Sequence, residues 1–164
     1  ITINASDLLI SEIVLKPMLA QMEPYLSKRR MSVRFETRGF DHEPIVHADP
    51  EKVDIVLRNL LSNAAKYGTP DTPIDVYIKP GEGEAEVCVR NQGPNIPTEN
   101  LDKLFERFVR LEATQGTKGS GLGLYNARKV VEMWGGRISV ASGEDAIVFT
   151  CTLPLAKAEV AKDA

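Results

Sequence analysis

Apolar residues recur along this chain with two periods, and the switches between them divide it into elements. Leu9, Ile13, Leu15, Met18, Leu19, Met22 and Leu26 keep mostly helical spacing. They predict an amphipathic helix capped by Ser6 or Asp7 and running to about Arg30, with a short strand at Ile1-Thr2-Ile3 before it. Pro17 and Pro24 fall inside that pattern and predict a kink or break. Alternation then predicts strands over Met31–Thr37 and Ile45–Ala48. Asp49-Pro50 starts a second helix, with a capping carboxylate and a proline in the first turn. That helix carries Val53, Val56, Leu57, Leu60, Leu61 and Ala64 on one side as far as Tyr67, and Gly68, Pro70 and Pro73 stop it.

Strands over Ile74–Lys79 and Ala85–Asn91 follow, joined by the turn Pro80-Gly81-Glu82-Gly83. Gln92–Glu99 reads as loop, Leu101–Phe108 as a short helix, and residues 109–120 as a polar segment. Leu122–Trp134 is a helix closed by Gly135-Gly136, and Arg137–Ala141 with Ile147–Leu153 form a last strand pair. The Ala/Lys/Glu-rich tail from Ala156 is expected to fray. Strands arriving as hairpins with helices between them argue for α+β, a two-layer sandwich of a mixed sheet with helices on one face.

Composition narrows the picture. The 164 residues fit one domain, and 43% hydrophobic with 26% charged residues is ordinary for a globular protein. A formal charge of −3 gives no field that would draw the chain onto nucleic acid or anionic lipid. No apolar run approaches the roughly 20 residues of a membrane span, and nothing at the start reads as a signal peptide. Cys88 and Cys151 lie in strand-like runs without CxxC spacing, so both read as buried thiols in a reducing compartment.

Three clusters carry candidate chemistry. Asn59, Asn63, Lys66 and Tyr67 lie along one edge of their helix, beside its apolar stripe. Two carboxamides one turn apart can offer oxygens to a hard cation, an ammonium can meet phosphate, and a tyrosine ring can cover a base. A polar helix edge ending in a lysine is the alternative. Gly119-Ser120-Gly121-Leu122-Gly123-Leu124 runs straight into a helix, whose free N–H groups form an anion site. It is neither a Walker loop nor a dinucleotide fingerprint, and a mobile hinge is the other reading. Asn91-Gln92-Gly93-Pro94-Asn95-Ile96-Pro97 ends a buried strand, where a polar side chain can read a base edge or simply make a turn.

In order along the chain, these strings resemble the motifs of the histidine-kinase ATPases. "LRNLLSNAAKYG", with its run-in "HADPEKVDIVLRNLL", resembles the N box, and "VRNQGPNIP" a variant first glycine box. "LFERFVRL" is similar to the F box, "GSGLGLYNARKVVEMWGG" to the second glycine box, and "FTCTLPL" to the last strand. The resemblance covers about residues 6 to 155 and implies a Bergerat fold, with the catalytic ATP-binding domain over 1–155 and a tail over 156–164.

The resemblance further implies Mg²⁺ on Asn63 with Asn59 in support, Lys66 on phosphate and Tyr67 against adenine. Gly119, Gly121 and Gly123 would wrap the triphosphate, with Lys118, Ser120, Leu122 and Leu124 of the same stretch among the nucleotide-binding residues. Asn91, Gly93 and Ile96 would belong to the base end, and residues 109–120 to a lid. Arg107 or Arg110 would reach the phosphates as the lid closes, which places Asn63, Lys66 and Arg107 in the catalytic set. Phe105 and Phe108 would pack the lid base or meet a helical partner.

By the same resemblance, Mg·ATP would donate its γ-phosphate to a histidine on a separate dimerisation and phosphoacceptor domain. That domain would lie N-terminal to residue 1 and feed a response-regulator receiver. The location implied is cytoplasmic, in a parent that is either membrane-anchored or free. His42 and His47 read as structural or surface residues, so the fragment alone is not expected to autophosphorylate.

Two departures from the family pattern fall at the base end. Asn91 stands where an aspartate is usual, and Ile147-Val148 where a threonine usually precedes the phenylalanine matched by Phe149. They predict nucleotide binding with reduced adenine affinity or discrimination. They also keep open a second reading, a weakly catalytic or non-catalytic regulatory relative. An anti-sigma serine kinase of the same superfamily and an unrelated binding module fit the four boxes less well.

Overall fold

The computed structural model describes residues 2–106 and 123–159. Five strands form the main sheet: β2 (Ser32–Thr37), β4 (Pro73–Pro80), β5 (Glu84–Gln92), β6 (Ile138–Gly143) and β7 (Ala146–Pro154). Their order is β2-β4-β5-β7-β6. Only β2 and β4 run parallel; the other neighbours are antiparallel. β1 (Ser6–Leu8) and β3 (Val46–Ala48) make a small antiparallel sheet.

The helices are α1 (Lys16–Lys28), α2 (Pro50–Tyr67), the single turn α3 (Thr98–Leu101) and α4 (Gly123–Met133). One core joins α1, α2 and α4 to the sheet. Val56, Leu57, Leu60, Leu61 and Ala64 of α2 and Met18 and Met22 of α1 pack with Ile74, Val76, Ile78, Val87, Val89, Phe149 and Leu153. The alternation of β4, β5 and β7 puts those sheet residues on one face. The two-layer α+β arrangement expected from the sequence is the one observed.

Burial pushes the Cys151 thiol up to about 12. Cys151 faces this core, Cys88 lies on the opposite face of the sheet, and both are free.

α2 has both ends where the sequence placed them. Asp49 caps it, its Oδ1 accepting from Glu51 N at 3.0 Å, while its Oδ2 takes the N–H of Asn4 at 2.9 Å. These bonds, Asn4 first, hold the Asp49 carboxyl below the usual carboxylate range.

The N-terminal region departs from expectation. Among the described residues the first strand is Ser6–Leu8, paired with β3, while Thr2 and Ile3 lie in no strand and Ile1 is outside the described residues. Ser6 and Asp7 therefore pair with Ala48 and His47 and cap nothing. The helix begins instead with a π-helical turn, Ser11–Leu15, that runs on into α1. Pro17 explains that turn: it has no N–H for the carbonyl of Ile13 and its ring crowds that carbonyl, so Lys16 N reaches back to Ser11 O. Glu43 supplies the cap from across the fold, accepting from Ser11 N at 3.0 Å and from the Ser11 hydroxyl. α1 passes through Pro24 without ending; the carbonyl thus freed belongs to exposed Ala20, where water can take it.

Two smaller differences lie further on. The short helix starts at Thr98, after Pro97, and tightens into a 3₁₀ turn over Asp102–Phe105. Of the tail, residues 156–159 are described and are tied to the fold. Leu155 bridges Val46, Ala156 N donates to Ile45 O at 2.9 Å, and Ile45 N donates to the buried Glu159 carboxylate at 3.3 Å.

Candidate functional site

α2 presents Asn59, Asn63, Lys66 and Tyr67 half-buried, just off the fully buried stripe of Leu57, Leu60, Leu61 and Ala64. A helix of 3.6 residues per turn leaves such an edge exposed only where no neighbouring element covers it. Two other parts of the chain come up to this edge, one near its middle and one at its end.

Near the middle, α4 arrives nose-first. A Cβ built on Gly123 would lie 3.3 Å from Asn59 Oδ1 and 3.8 Å from Asn59 Cγ. Glycine is what allows the first turn of α4 to sit this close to the carboxamide. The described start of α4 therefore lies beside Asn59 and one turn from Asn63. Ala127 and Val131 anchor the inner face of α4 in the core. Leu124 is half-buried against it.

At the end of α2, Gly68 lies against the end of β5, where a Cβ on it would be 3.4 Å from Asn91 Cβ. Thr69 N donates to Gln92 O at 2.8 Å and fixes the exit. A Cβ on Gly93 would meet the Tyr67 carbonyl at 3.3 Å. The helix end carrying Lys66 and Tyr67 and the loop opened by Asn91 thus share one wall.

Asn91 is 1% exposed, and its Nδ2 donates to Gln92 O at 3.1 Å. With one amide hydrogen committed to that carbonyl, Oδ1 remains to accept a bond. Across the ladder, Asn91 pairs with Ile147, which is buried. The two departures recognised in the sequence are therefore direct neighbours on adjacent strands.

The β6–β7 turn holds the loop after Asn91. Gly93 N donates to Asp145 O at 2.9 Å, Asp145 N to Asn95 Oδ1 at 3.0 Å, and Ile96 N to Ser142 Oγ at 2.9 Å. Asn95 thus has a local task, accepting from the turn that holds the loop. Ser142 and Asp145 were not singled out from the sequence, and a separation of 46 to 50 residues leaves no local signal for them. Phe105 packs edge-on against Phe149 at 5.9 Å, with the Arg128 guanidinium 5.9 Å from its ring centroid, so it belongs to the core.

Arg107, Phe108, Arg110, Lys118, Gly119, Ser120, Gly121 and Leu122 lie outside the described residues. His47 is exposed on β3, 2.8 Å from Asp7 Oδ1, and His42 is exposed in the bend before it. Neither is helical. Among the described residues no group of three His, Cys, Asp or Glu could hold a metal ion. A divalent ion at this edge would therefore draw on the carboxamide oxygens of Asn59 and Asn63 and on its own ligand's phosphates, donors that suit Mg²⁺.

The model of the histidine kinase-, DNA gyrase B- and HSP90-like ATPases matches residues 48–157. The signal transduction histidine-protein kinase AfsQ2 of Streptomyces coelicolor is 38% identical over 118 residues, which is 70% of this chain and 22% of that protein. The nucleotide-free catalytic domain of the histidine kinase ThkA is 30% identical with a TM-score of 0.78, covering 92% of this chain and 95% of that one. ThkA in complex with the response regulator protein TrrA matches with a TM-score of 0.75 at 26% identity, over 94% of this chain and 42% of that one. This chain spans about a fifth of the length of its relative AfsQ2.

Proposed function

Because the chain belongs to the histidine kinase-, DNA gyrase B- and HSP90-like ATPases, as a catalytic domain of the sensor histidine kinase type, we propose that it binds Mg·ATP and passes the γ-phosphate to a histidine on a separate helical domain. The observation that carries this reading is the convergence on one edge of α2. Asn59 meets Gly123 at the start of α4, and the helix exit at Gly68 meets Asn91.

The chemistry asks for positioning and positive charge rather than covalent work by the protein. Asn59 and Asn63 would hold Mg²⁺, which when bound neutralises charge on the phosphates. Lys66 would meet a phosphate oxygen, the start of α4 would offer N–H groups to the chain of phosphates, and Tyr67 would cover the base. Asn91 Oδ1 would accept from the adenine amino group. Arg107 and the stretch Lys118–Leu122 keep the roles that the resemblance implies. The acceptor domain and a response regulator are the proposed partners, and the ATP requirement fits a cytoplasmic location. No helix among the described residues is long and apolar enough to cross a membrane.

The test is to incubate the chain with Mg·ATP and its dimerisation domain supplied separately. The expected product is acid-labile phosphate on that domain and none on His42 or His47. Transfer to neither, with nucleotide bound, would favour the non-catalytic regulatory reading. The specific support for that reading is Asn91 facing Ile147, an apolar side chain at the base end. Calorimetric titration with ATP, GTP and ADP measures its extent. Weak or poorly selective binding is expected, and strong ATP preference at low-micromolar affinity would count against it.

A further inference from the structure

The last turn of α2 is held by a side chain from outside every motif. Arg29 closes α1, and its guanidinium reaches across to α2. Nε donates to Ala65 O at 2.7 Å, and Nη2 donates to Lys66 O at 3.0 Å and to Gly68 O at 3.1 Å. These carbonyls sit at a helix C-terminus, where the last acceptors lack intrahelical partners and the dipole is negative. A planar fork can serve three acceptors that diverge from one another, which a single ammonium cannot do with the same geometry.

The residues after Arg29 add to the grip. Asp71 N donates to Arg30 O at 3.0 Å, and Met31 Cε would be 2.7 Å from a Cβ on Gly68. Residues 29–31 therefore press the exit of α2 onto the end of β5, where Asn91 lies. Lys66 carries one of the carbonyls that Arg29 binds, and Tyr67 stands between that one and Gly68.

We propose that Arg29 is a positioning residue for the nucleotide site. By tying the carbonyls of residues 65, 66 and 68 to α1, it sets the direction in which Lys66 and Tyr67 leave α2. It acts through those two side chains and reaches no ligand itself. This inference rests on the nucleotide-binding reading above.

A cap that only stabilised the helix would lower the unfolding free energy and leave the affinity of the folded protein untouched. The experiment therefore measures Mg·ATP affinity by calorimetry at a temperature where far-ultraviolet circular dichroism shows every variant folded. Arg29→Met keeps the aliphatic stem and removes the fork; Arg29→Lys keeps the charge. Arg30→Met is the control, since the Arg30 side chain pairs with Asp71 on an open surface, each 65% exposed.

Arg29→Met is expected to weaken binding about tenfold, Arg29→Lys to recover part of that loss, and Arg30→Met to stay within about twofold. If Arg29→Met does not fold, Arg29→Lys alone carries the test with an expected loss of about threefold. Wild-type affinity in folded Arg29 variants overturns the positioning role alone. A wild-type chain that binds no nucleotide overturns it together with the reading beneath it.

Discussion

Gly123, the first described residue of α4, stands so close to Asn59 of α2 that an added Cβ would lie 3.3 Å from the carboxamide oxygen. Alanine there would push Asn59 aside by a few tenths of an ångström without disturbing the core behind it. Alanine is also favoured over glycine in a helix by about 1 kcal/mol. Gly123→Ala should therefore unfold at the wild-type temperature or above, yet bind Mg·ATP several-fold more weakly. Calorimetry with Mg²⁺ and with EDTA checks this, and an equal loss in both would remove Asn59 from the metal site.

Asn91→Asp should change stability and affinity in opposite directions. The carboxylate would lose the Nδ2 donor that Gln92 O now accepts and would face Ile147 in a buried position. A cost of about 1–3 kcal/mol to the unliganded domain is expected. A charged acceptor should also bind the adenine amino group more tightly. Thermal unfolding with and without ATP separates the two effects: the variant should melt lower alone and gain more from ATP than wild type. A lower melting temperature with no extra gain would mean that Asn91 does not read the base.

Asp49 gives a pH signature. Its folded pKa is lowered, chiefly by the Asn4 N–H. The stabilisation is therefore present above the ordinary carboxylate pKa of about 3.9 and is lost as pH falls through the lower folded value. Asp49→Ala should cost about 1–2 kcal/mol at pH 7, and the gap to wild type should begin to narrow as pH falls below about 4. Urea unfolding at pH 7 and pH 3 would show it. A gap equally wide at both pH values would mean the loss is one of packing.

Gly136→Ala tests the closure after α4. An added Cβ would lie 2.5 Å from Trp134 Nε1 and 2.8 Å from Thr152 O, wedging apart the bond those two atoms make at 2.8 Å. A loss of about 1–3 kcal/mol is expected. Trp134 is the only tryptophan, so its emission should shift to the red as the indole N–H loses its partner. An unshifted spectrum would mean that the backbone moves instead.

What the sequence made legible was local. α2 runs between Asp49-Pro50 and Gly68, as expected, because start, stripe and stop all lie within the helix and its two neighbours. The hairpin strands were equally plain, since alternation and turn residues are short-range signals. The first strand was misplaced because its identity depends on β3, about 40 residues away, and the helix cap because Glu43 lies 32 residues beyond Ser11. The same holds at the site. Asn91 and Ile147 were each recognised as unusual, but only the ladder register makes them neighbours. Arg29 and Ser142 act through their side chains on backbone atoms of distant residues, and Asp145 through its own backbone, so none of the three leaves a mark in the hydrophobic pattern.

The small sheet has a mechanical meaning. Val46 is flanked by Leu8 on one side and by Leu155 on the other. Segments from near both ends of the described chain thus clasp one short strand. Tension drawn between those segments would load this clasp first and peel it open before the five-stranded sheet bears force. Because β3 leads within two residues to the start of α2, the first give in the domain would arise at the foot of the helix that carries Asn59 and Asn63.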